Sequence, residues 1–121
     1  MGLILADTNA LIYFLKGSDA LTPYLKETYA ISEITEIELL GVKNISKGDL
    51  EIRTSLISNC IIYPLTSEIK NIAIRIKQTN TLKIPDALIA ATSFYFNIPL
   101  LTADKDFKKI LNLRLLLLNI Q

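Results

Sequence analysis

The sequence contains no histidine and a single cysteine. Without histidine the chain cannot form a Ser-His-Asp triad, a histidine general base or the usual zinc sites. The lone Cys60 excludes an intramolecular disulfide, and its place in the apolar run CIIY favours a buried structural thiol. Any proton and charge chemistry at an active site would therefore fall to carboxylates and a bound metal ion.

The chain also lacks long apolar runs and a strong charge of either sign. No stretch reaches the roughly 20 apolar residues that span a bilayer, and the first apolar run, residues 3–6, lacks the basic flank and cleavage site of a signal peptide. We therefore expect a cytoplasmic protein without membrane contact. The formal net charge of +1 indicates no extended nucleic-acid surface, so any such contact would be local. A length of 121 residues predicts a single domain over residues 1–121.

Apolar strands and amphipathic helices are predicted to alternate along the chain. The predicted strands are residues 3–6, 29–32, 60–63, 99–102 and 114–118, and the predicted helices are residues 8–16, 19–26, 34–42, 46–58, 66–78, 85–96 and 106–111. Pro85 is expected at the first position of the helix that it begins. Continuously apolar strands that alternate with helices are typical of a parallel sheet covered on both faces, which is an α/β fold.

Four acidic side chains stand where strand ends or helix starts would direct them towards one cleft. They are Asp7, Glu38, Asp86 and Asp104. Ligands of open α/β sheets bind at the carboxyl ends of the strands, where Asp7 and Asp104 are predicted to lie. Gathered carboxylates repel one another and lose solvation, so they need a cation or a shared proton. The convergence of these residues predicts a hard divalent metal ion.

Each acid also has an ordinary structural explanation. Asp7 could cap the following helix, and Glu38 matches a capping box, T-x-x-E, with Thr35. Against the capping box, a helical wheel places Glu38 between Ile34 and Val42, where an unpaired charge would be costly.

The other acids have similar alternatives. Asp86 lies in the first helical turn, where the helix dipole favours an anion by about 0.3 to 1 kcal/mol. Asp104 and Asp106 could belong to a surface turn. Lys105, Lys108 and Lys109 lie beside this segment, with Arg114 nearby, and a solvated helix face explains them, although a phosphate-bearing substrate would need such cations at the edge of the cleft.

The segments DTNALIYFLKG, ISEITEIELLG, PDALIAATSFYFNIPLLTADKDF and RLLLL resemble those of the PIN-domain ribonucleases, and most closely the VapC-type toxins of prokaryotic toxin–antitoxin pairs. The resemblance implies a three-layer α/β/α fold with a five-stranded parallel sheet, a Mg²⁺ or Mn²⁺ site, and endonucleolytic cleavage of RNA. Carried over by position, the catalytic and metal-binding acids are Asp7, Glu38, Asp86 and Asp104, with Asp106, Asn9 and Thr102 as auxiliary residues. Family members differ in which acid of the Asp-x-Asp pair completes the set.

In the mechanism that the resemblance implies, the metal lowers the pKa of a bound water and neutralises charge on the phosphate. Hydroxide from this water attacks the phosphate in line as the 3′ oxygen leaves, which gives a 5′-phosphate product. A cognate antitoxin is the implied protein partner. Because a domain this rich in Ile and Leu is not expected to bury all of them, we also predict a homodimer.

Other functions are open. A PIN fold that binds RNA or protein without catalysis would share the same pattern. A phospho-receiver domain has a similar length, but it needs an acidic pair after its first strand and a Lys-Pro after its fifth, and both are missing. A haloacid-dehalogenase-like phosphatase would need an aspartate where Asn9 stands.

Overall fold

The computed structural model describes residues 2–120. The strands are β1 (Leu3–Ala6), β2 (Thr28–Ser32), β3 (Ile61–Tyr63), β4 (Leu100–Thr102) and β5 (Leu115–Leu117). The α-helices are α1 (Thr8–Leu15), α2 (Glu33–Leu40), α3 (Lys47–Ser58), α4 (Ser67–Thr79) and α5 (Ile84–Phe96), and two 3₁₀ helices cover Asp19–Tyr24 and Lys105–Lys109. The predicted alternation of strands and helices is confirmed.

The strands form one parallel sheet in the order β3-β2-β1-β4-β5. The central strand β1 pairs with β2 on one side and with β4 on the other, where Leu5 lies opposite Leu100. The chain moves outwards from β1 to β3 and then returns to the other side of β1. The gap between β1 and β4 is therefore the point where the strand order reverses, and ligands of such sheets bind at this point.

Alternate residues of the central strands face opposite layers. Leu5, Ala30 and Leu100 pack with α4 and α5, whereas Ile4, Ile31 and Leu101 pack with α1, α2 and α3. This period of two is the pattern of a strand that is buried on both faces. The three-layer α/β/α architecture with a five-stranded parallel sheet is confirmed.

Helix α5 is central, as its apolar sequence predicts. Its small residues Ala87, Ala90 and Ala91 are buried, and they share one core with Ile69 and Ala73 of α4. Small side chains allow the two helices to approach closely. The start of α5 is thereby fixed against the sheet.

Several helix boundaries differ from prediction for local reasons. Residues 19–26 were predicted to form an α-helix, but they contain a 3₁₀ helix with Pro23 inside it, because proline lacks the N–H that an α-helix needs there. Helix α2 ends at Leu40 rather than Val42, with Gly41 as its C-cap, where the Cβ of any other residue would lie 2.6 Å from the carbonyl oxygen of Ile37. Pro85 is the second residue of α5, after Ile84.

None of the helices formed by residues 2–120 has the length and apolar character needed to span a bilayer.

Candidate active site

A cleft of about 310 Å³ opens at the carboxyl edge of the sheet, beside the ends of β1 and β4. Its walls are formed by the start of α1, the C-terminal half of α2 and the first turns of α5. The lining residues are Asp7, Thr8, Asn9, Ile12, Glu38, Lys83, Pro85, Asp86, Ile89 and Asp104. The structure therefore brings together all four acids on which the sequence prediction depends.

Asp7 lies deepest, with only 4% of its surface exposed. It caps α1, because its Oδ1 accepts a hydrogen bond of 2.8 Å from the backbone N–H of Ala10. Its other oxygen, Oδ2, accepts from the hydroxyl of Thr102. The helix-cap explanation is thus correct for Asp7, and it coexists with a place in the cleft.

Burial dominates the electrostatics of Asp7 and raises its pKa from 3.8 to about 6. The hydrogen bonds from Thr102 and Ala10 oppose this rise, while the negative charges of Asp86 and Asp104 add to it. Burial and neighbouring negative charges disfavour the ionised form of this carboxyl group, and a nearby cation would favour it.

Two polar residues join the ends of β1 and β4. The hydroxyl of Thr102 donates to Asp7 and accepts from the backbone N–H of Asp104 at 3.0 Å. The side-chain oxygen of Asn9 accepts from the N–H of Ala103 at 3.2 Å. The predicted auxiliary residues Asn9 and Thr102 therefore hold the acidic segments together across the sheet.

Glu38 reaches the cleft from α2, and it is exposed rather than set on a buried flank. Its Oε1 accepts a hydrogen bond from the hydroxyl of Thr8, which also lies 3.3 Å from the hydroxyl of Thr35. The capping-box explanation is wrong, because α2 begins at Glu33 and its cap is Ser32. Glu38 is thus linked to the segment that follows Asp7.

Asp86 is the third residue of α5 and is partly buried. Burial raises its pKa, and the charges of Asp104 and Glu38 raise it further, while Lys83 lowers it. Asp86, Asp104 and Glu38, which come from three separate segments, are therefore close enough for their negative charges to repel one another. This repulsion is not expected of a first-turn residue that serves the helix dipole alone.

The two acids of the Asp-x-Asp pair differ in position. Asp104 lines the acidic cleft, and its side chain caps the second 3₁₀ helix by accepting from the N–H of Asp106 at 2.9 Å. Asp106 is exposed and lines only the adjoining cavity. Geometry thus favours Asp104 as the fourth member of the cleft.

The donor set fits a hard divalent ion. Within residues 2–120, no three acidic, histidine or cysteine side chains are close enough to form a preassembled metal site. Mg²⁺, however, is usually held by one or two carboxylates together with waters and substrate phosphates. The acids of the cleft supply oxygen donors of this kind. Burial, together with the negative charges of neighbouring acids, raises the pKa values of Asp7 and Asp86, and a cation would offset both effects.

Sequence reasoning overlooked Lys83, which lines the acidic cleft and lies three residues before Asp86. The available signal was its place at the N-cap of α5, directly before Ile84 and Pro85. The predicted substrate-binding residues Lys105 and Lys108 are exposed on the second 3₁₀ helix and are absent from the lining of both this cleft and the cavity beside it. Their role stays a prediction.

The fold and the cleft define a parallel α/β protein with converging carboxylates at the reversal point of its sheet. The sequence profile of the PIN domain matches residues 4–112. The chain belongs to the PIN-domain family, which confirms the resemblance seen in its sequence motifs.

Solved structures of toxin–antitoxin complexes share the fold. One is VapBC2 from Rickettsia felis, bound to a DNA fragment from its promoter. A chain of that structure is 25% identical to this protein with a TM-score of 0.79, and the match covers 98% of this protein and 100% of the Rickettsia felis chain. A chain of a toxin–antitoxin complex from Klebsiella pneumoniae is 29% identical with a TM-score of 0.79, over 93% and 95% of the two chains. DNA-bound VapBC from Salmonella typhimurium, at 18% identity and a TM-score of 0.81 over 96% and 98%, supports the fold alone. No curated protein matches the sequence.

Proposed function

We propose that this protein is a divalent-metal-dependent endoribonuclease that acts as the toxin of a toxin–antitoxin pair. The observation that carries the proposal is the meeting of Asp7, Glu38, Asp86 and Asp104 in one cleft of a PIN-domain protein. The toxin role is supported by the similarity to the Rickettsia felis and Klebsiella pneumoniae complexes.

Asp7, Asp86 and Asp104, with Glu38, would hold Mg²⁺ or Mn²⁺. When bound, the ion would supply a water of lowered pKa and neutralise the charge that develops on the phosphate. Asp7 is mostly ionised at neutral pH because its pKa is about 6. The two hydrogen bonds from Ala10 and Thr102 fix the orientation of its carboxylate before a ligand binds.

Glu38 differs from Asp7 because it is exposed and depends on a single side-chain partner. The hydroxyl of Thr8 holds its carboxylate towards the cleft. Lys83 brings a positive charge to the same walls and moderates the repulsion around Asp86. The chain thus supplies one rigid acid, one tethered acid and a counter-charge around the position where a phosphate would react.

A phospho-receiver domain is disfavoured by topology. Receivers have the strand order 2-1-3-4-5, whereas this sheet has the order β3-β2-β1-β4-β5. A catalytically inactive PIN module is the remaining alternative, and measured cleavage distinguishes it from a nuclease.

The test is cleavage of single-stranded RNA with Mg²⁺, with Mn²⁺ and with EDTA. We expect cleavage with either metal and none in EDTA. Asp7→Asn, Glu38→Gln, Asp86→Asn and Asp104→Asn should each reduce the rate at least about 100-fold, as loss of a catalytic electrostatic group does.

Asp49→Asn is the matched control, because Asp49 is also a first-turn acid but lies on α3 and is exposed. This variant should cleave at the wild-type rate. Full activity of Asp86→Asn, or equal activity in EDTA, would contradict the proposal and favour the inactive module.

The antitoxin partner is proposed to cover the apolar side chains that α2 and α3 leave exposed. Ile37 is 63% exposed on α2, and Ile52 is exposed on α3. An amphipathic segment could bury them and direct a basic side chain towards the acids. Co-expression with a small protein encoded beside the gene should relieve growth arrest and yield a complex, and the absence of both results would contradict the toxin assignment.

The homodimer also remains a proposal. Apolar side chains are exposed on α4 and α5, where Ile84 is 63% exposed and Ile74 and Tyr95 are exposed as well. A second copy would remove this surface from water. Light scattering at about 100 μM protein should give the mass of a dimer, and a strictly monomeric mass would reject the proposal.

A further inference from the structure

A second cavity of about 560 Å³ adjoins the acidic cleft. The two share Lys83, Asp86 and Asp104, so they form one continuous concave surface. The second cavity is also lined by Lys77 and Lys109. Its volume lies within the range of about 300 to 1,000 Å³ that is typical of ligand pockets. Cations thus collect directly beside the carboxylates.

The wall that carries Lys83 is held in place by the loop between α4 and α5. The Nζ of Lys77 donates a 2.6 Å hydrogen bond to the carbonyl of Leu82, whose side chain is buried in the core. The side-chain amide of Asn80 donates to the carbonyl of Ile76 at 3.1 Å. Lys83 is exposed at the N-cap of α5. Its ammonium group is therefore presented by a braced loop and remains available to a ligand.

Lys109 ends the second 3₁₀ helix and brings a cation from a distant part of the sequence to the same cavity. The helix is fixed to the core through Phe107, which is buried together with α4 and α5 residues. Lys109 itself is exposed. The lysines therefore come from two separate segments, and Asp86 and Asp104 line both this cavity and the acidic cleft.

We propose that this lysine-lined cavity binds the phosphate backbone of the single-stranded RNA next to the bond that is cleaved, with Lys83 and Lys109 as phosphate contacts. The inference rests on the proposed nuclease function and names the path of its substrate. Lysine binds phosphate as a point charge. Asp86, Asp104 and Asp106 line the same cavity and balance the charge of the lysines, so binding strengthens when a divalent ion neutralises the acids.

The cavity is expected to contact the phosphates of the RNA and not its bases. Within residues 2–120, its lining contains no aromatic side chain on which a base could stack. Contacts to phosphate position a nucleic acid without specifying its sequence. Loss of either lysine should therefore weaken binding to the same extent for RNA molecules of different sequence.

The test is binding of a fluorescein-labelled 12-nucleotide RNA of mixed sequence to the full chain, followed by anisotropy in EDTA over a series of salt concentrations. Lys83→Gln and Lys109→Gln should each raise the Kd about fivefold and lower the slope of log K against log salt by about 0.7. Lys83→Arg should restore binding, because it keeps the charge. A second RNA sequence should give the same ratios.

Lys26→Gln and Lys43→Gln are matched controls, since both remove one positive charge from an exposed position that does not line the cavity. Lys105→Gln and Lys108→Gln test the neighbouring face of the 3₁₀ helix. A loss confined to Lys105 and Lys108, or equal losses in all variants, overturns the proposed cavity. If the wild type cleaves RNA, but Lys83→Gln and Lys109→Gln bind it as tightly as the wild type does, this inference is overturned and the nuclease function stands. A wild-type chain that neither cleaves nor binds RNA rejects both.

Discussion

Asp7→Asn is expected to stabilise the metal-free protein above pH 6, although Asp7 caps a helix. Burial raises the pKa of Asp7 from 3.8 to about 6. Between these values the folded state keeps a proton that the unfolded state has released, so the free energy of unfolding falls as pH rises. The penalty is absent below pH 3.8 and complete above about pH 6. At about 1.4 kcal/mol for each pKa unit, it amounts to roughly 3 kcal/mol.

Asparagine removes this penalty and keeps part of the local bonding. Its Oδ1 can still accept from the N–H of Ala10, so the cap of α1 survives. Its amide cannot accept from the hydroxyl of Thr102 as Oδ2 does, and the lost hydrogen bond costs about 1 kcal/mol. The expected net effect is a gain of about 2 kcal/mol at pH 8, or roughly 6 °C in Tm. Near pH 4 the substitution should be neutral or slightly destabilising.

The assay is urea unfolding in EDTA at pH 4, 6 and 8, analysed by linear extrapolation. Asp49→Asn provides the control, because Asp49 is exposed at the start of α3 and its replacement should change stability by less than about 1 kcal/mol at pH 6 and 8. A lower stability of Asp7→Asn than of the wild type at pH 8, or an equal difference between them at pH 4 and pH 8, would contradict this expectation. Either outcome would mean that capping, and not charge burial, dominates at Asp7.

Asp86→Asn should also raise the Tm in EDTA at pH 8, but by less than Asp7→Asn, because Asp86 is more exposed; a lowered Tm would contradict this. Thr8→Val should weaken Mn²⁺ binding, measured by calorimetry, because Glu38 loses its tether, whereas Thr8→Ser should bind normally; equal affinities would show that the tether is irrelevant. Asp106→Asn should tighten RNA binding in EDTA, since it removes a negative charge from the lysine-lined cavity; weaker binding in the anisotropy assay would oppose the proposed path.

The parallel sheet and the proximity of the acids could both be predicted from the sequence. Leu5, Ile31 and Leu101 lie in apolar segments too short for helices, and such segments between helices permit few arrangements other than a covered parallel sheet. Because the carboxyl ends of parallel strands share one edge, Asp7 and Asp104 were predicted to be neighbours without knowledge of the strand order.

Local patterns failed where distant contacts decide the outcome. The T-x-x-E match suggested that Thr35 and Glu38 pair at a helix start, but Ser32 begins the helix and Glu38 instead contacts Thr8, 30 residues away. The sequence placed Lys109 near the acids but did not predict that Lys83 joins it in one cavity, because the two lysines come together only after the second 3₁₀ helix has packed beside α5. Sequence spacing contains no signal for such a meeting.

The hydrogen bond between Thr102 and Asp7 determines how late in synthesis the cleft can form. It joins residues 95 positions apart, and β1 pairs on one side with β4, which is translated late. A nascent chain that ends before residue 100 lacks Thr102 and Asp104, and one flank of its central strand is unpaired. The cleft cannot assemble on such a fragment. A chain with this topology completes its acidic cleft only after residue 104 has been made, so the proposed cleavage of RNA cannot begin before that point in synthesis.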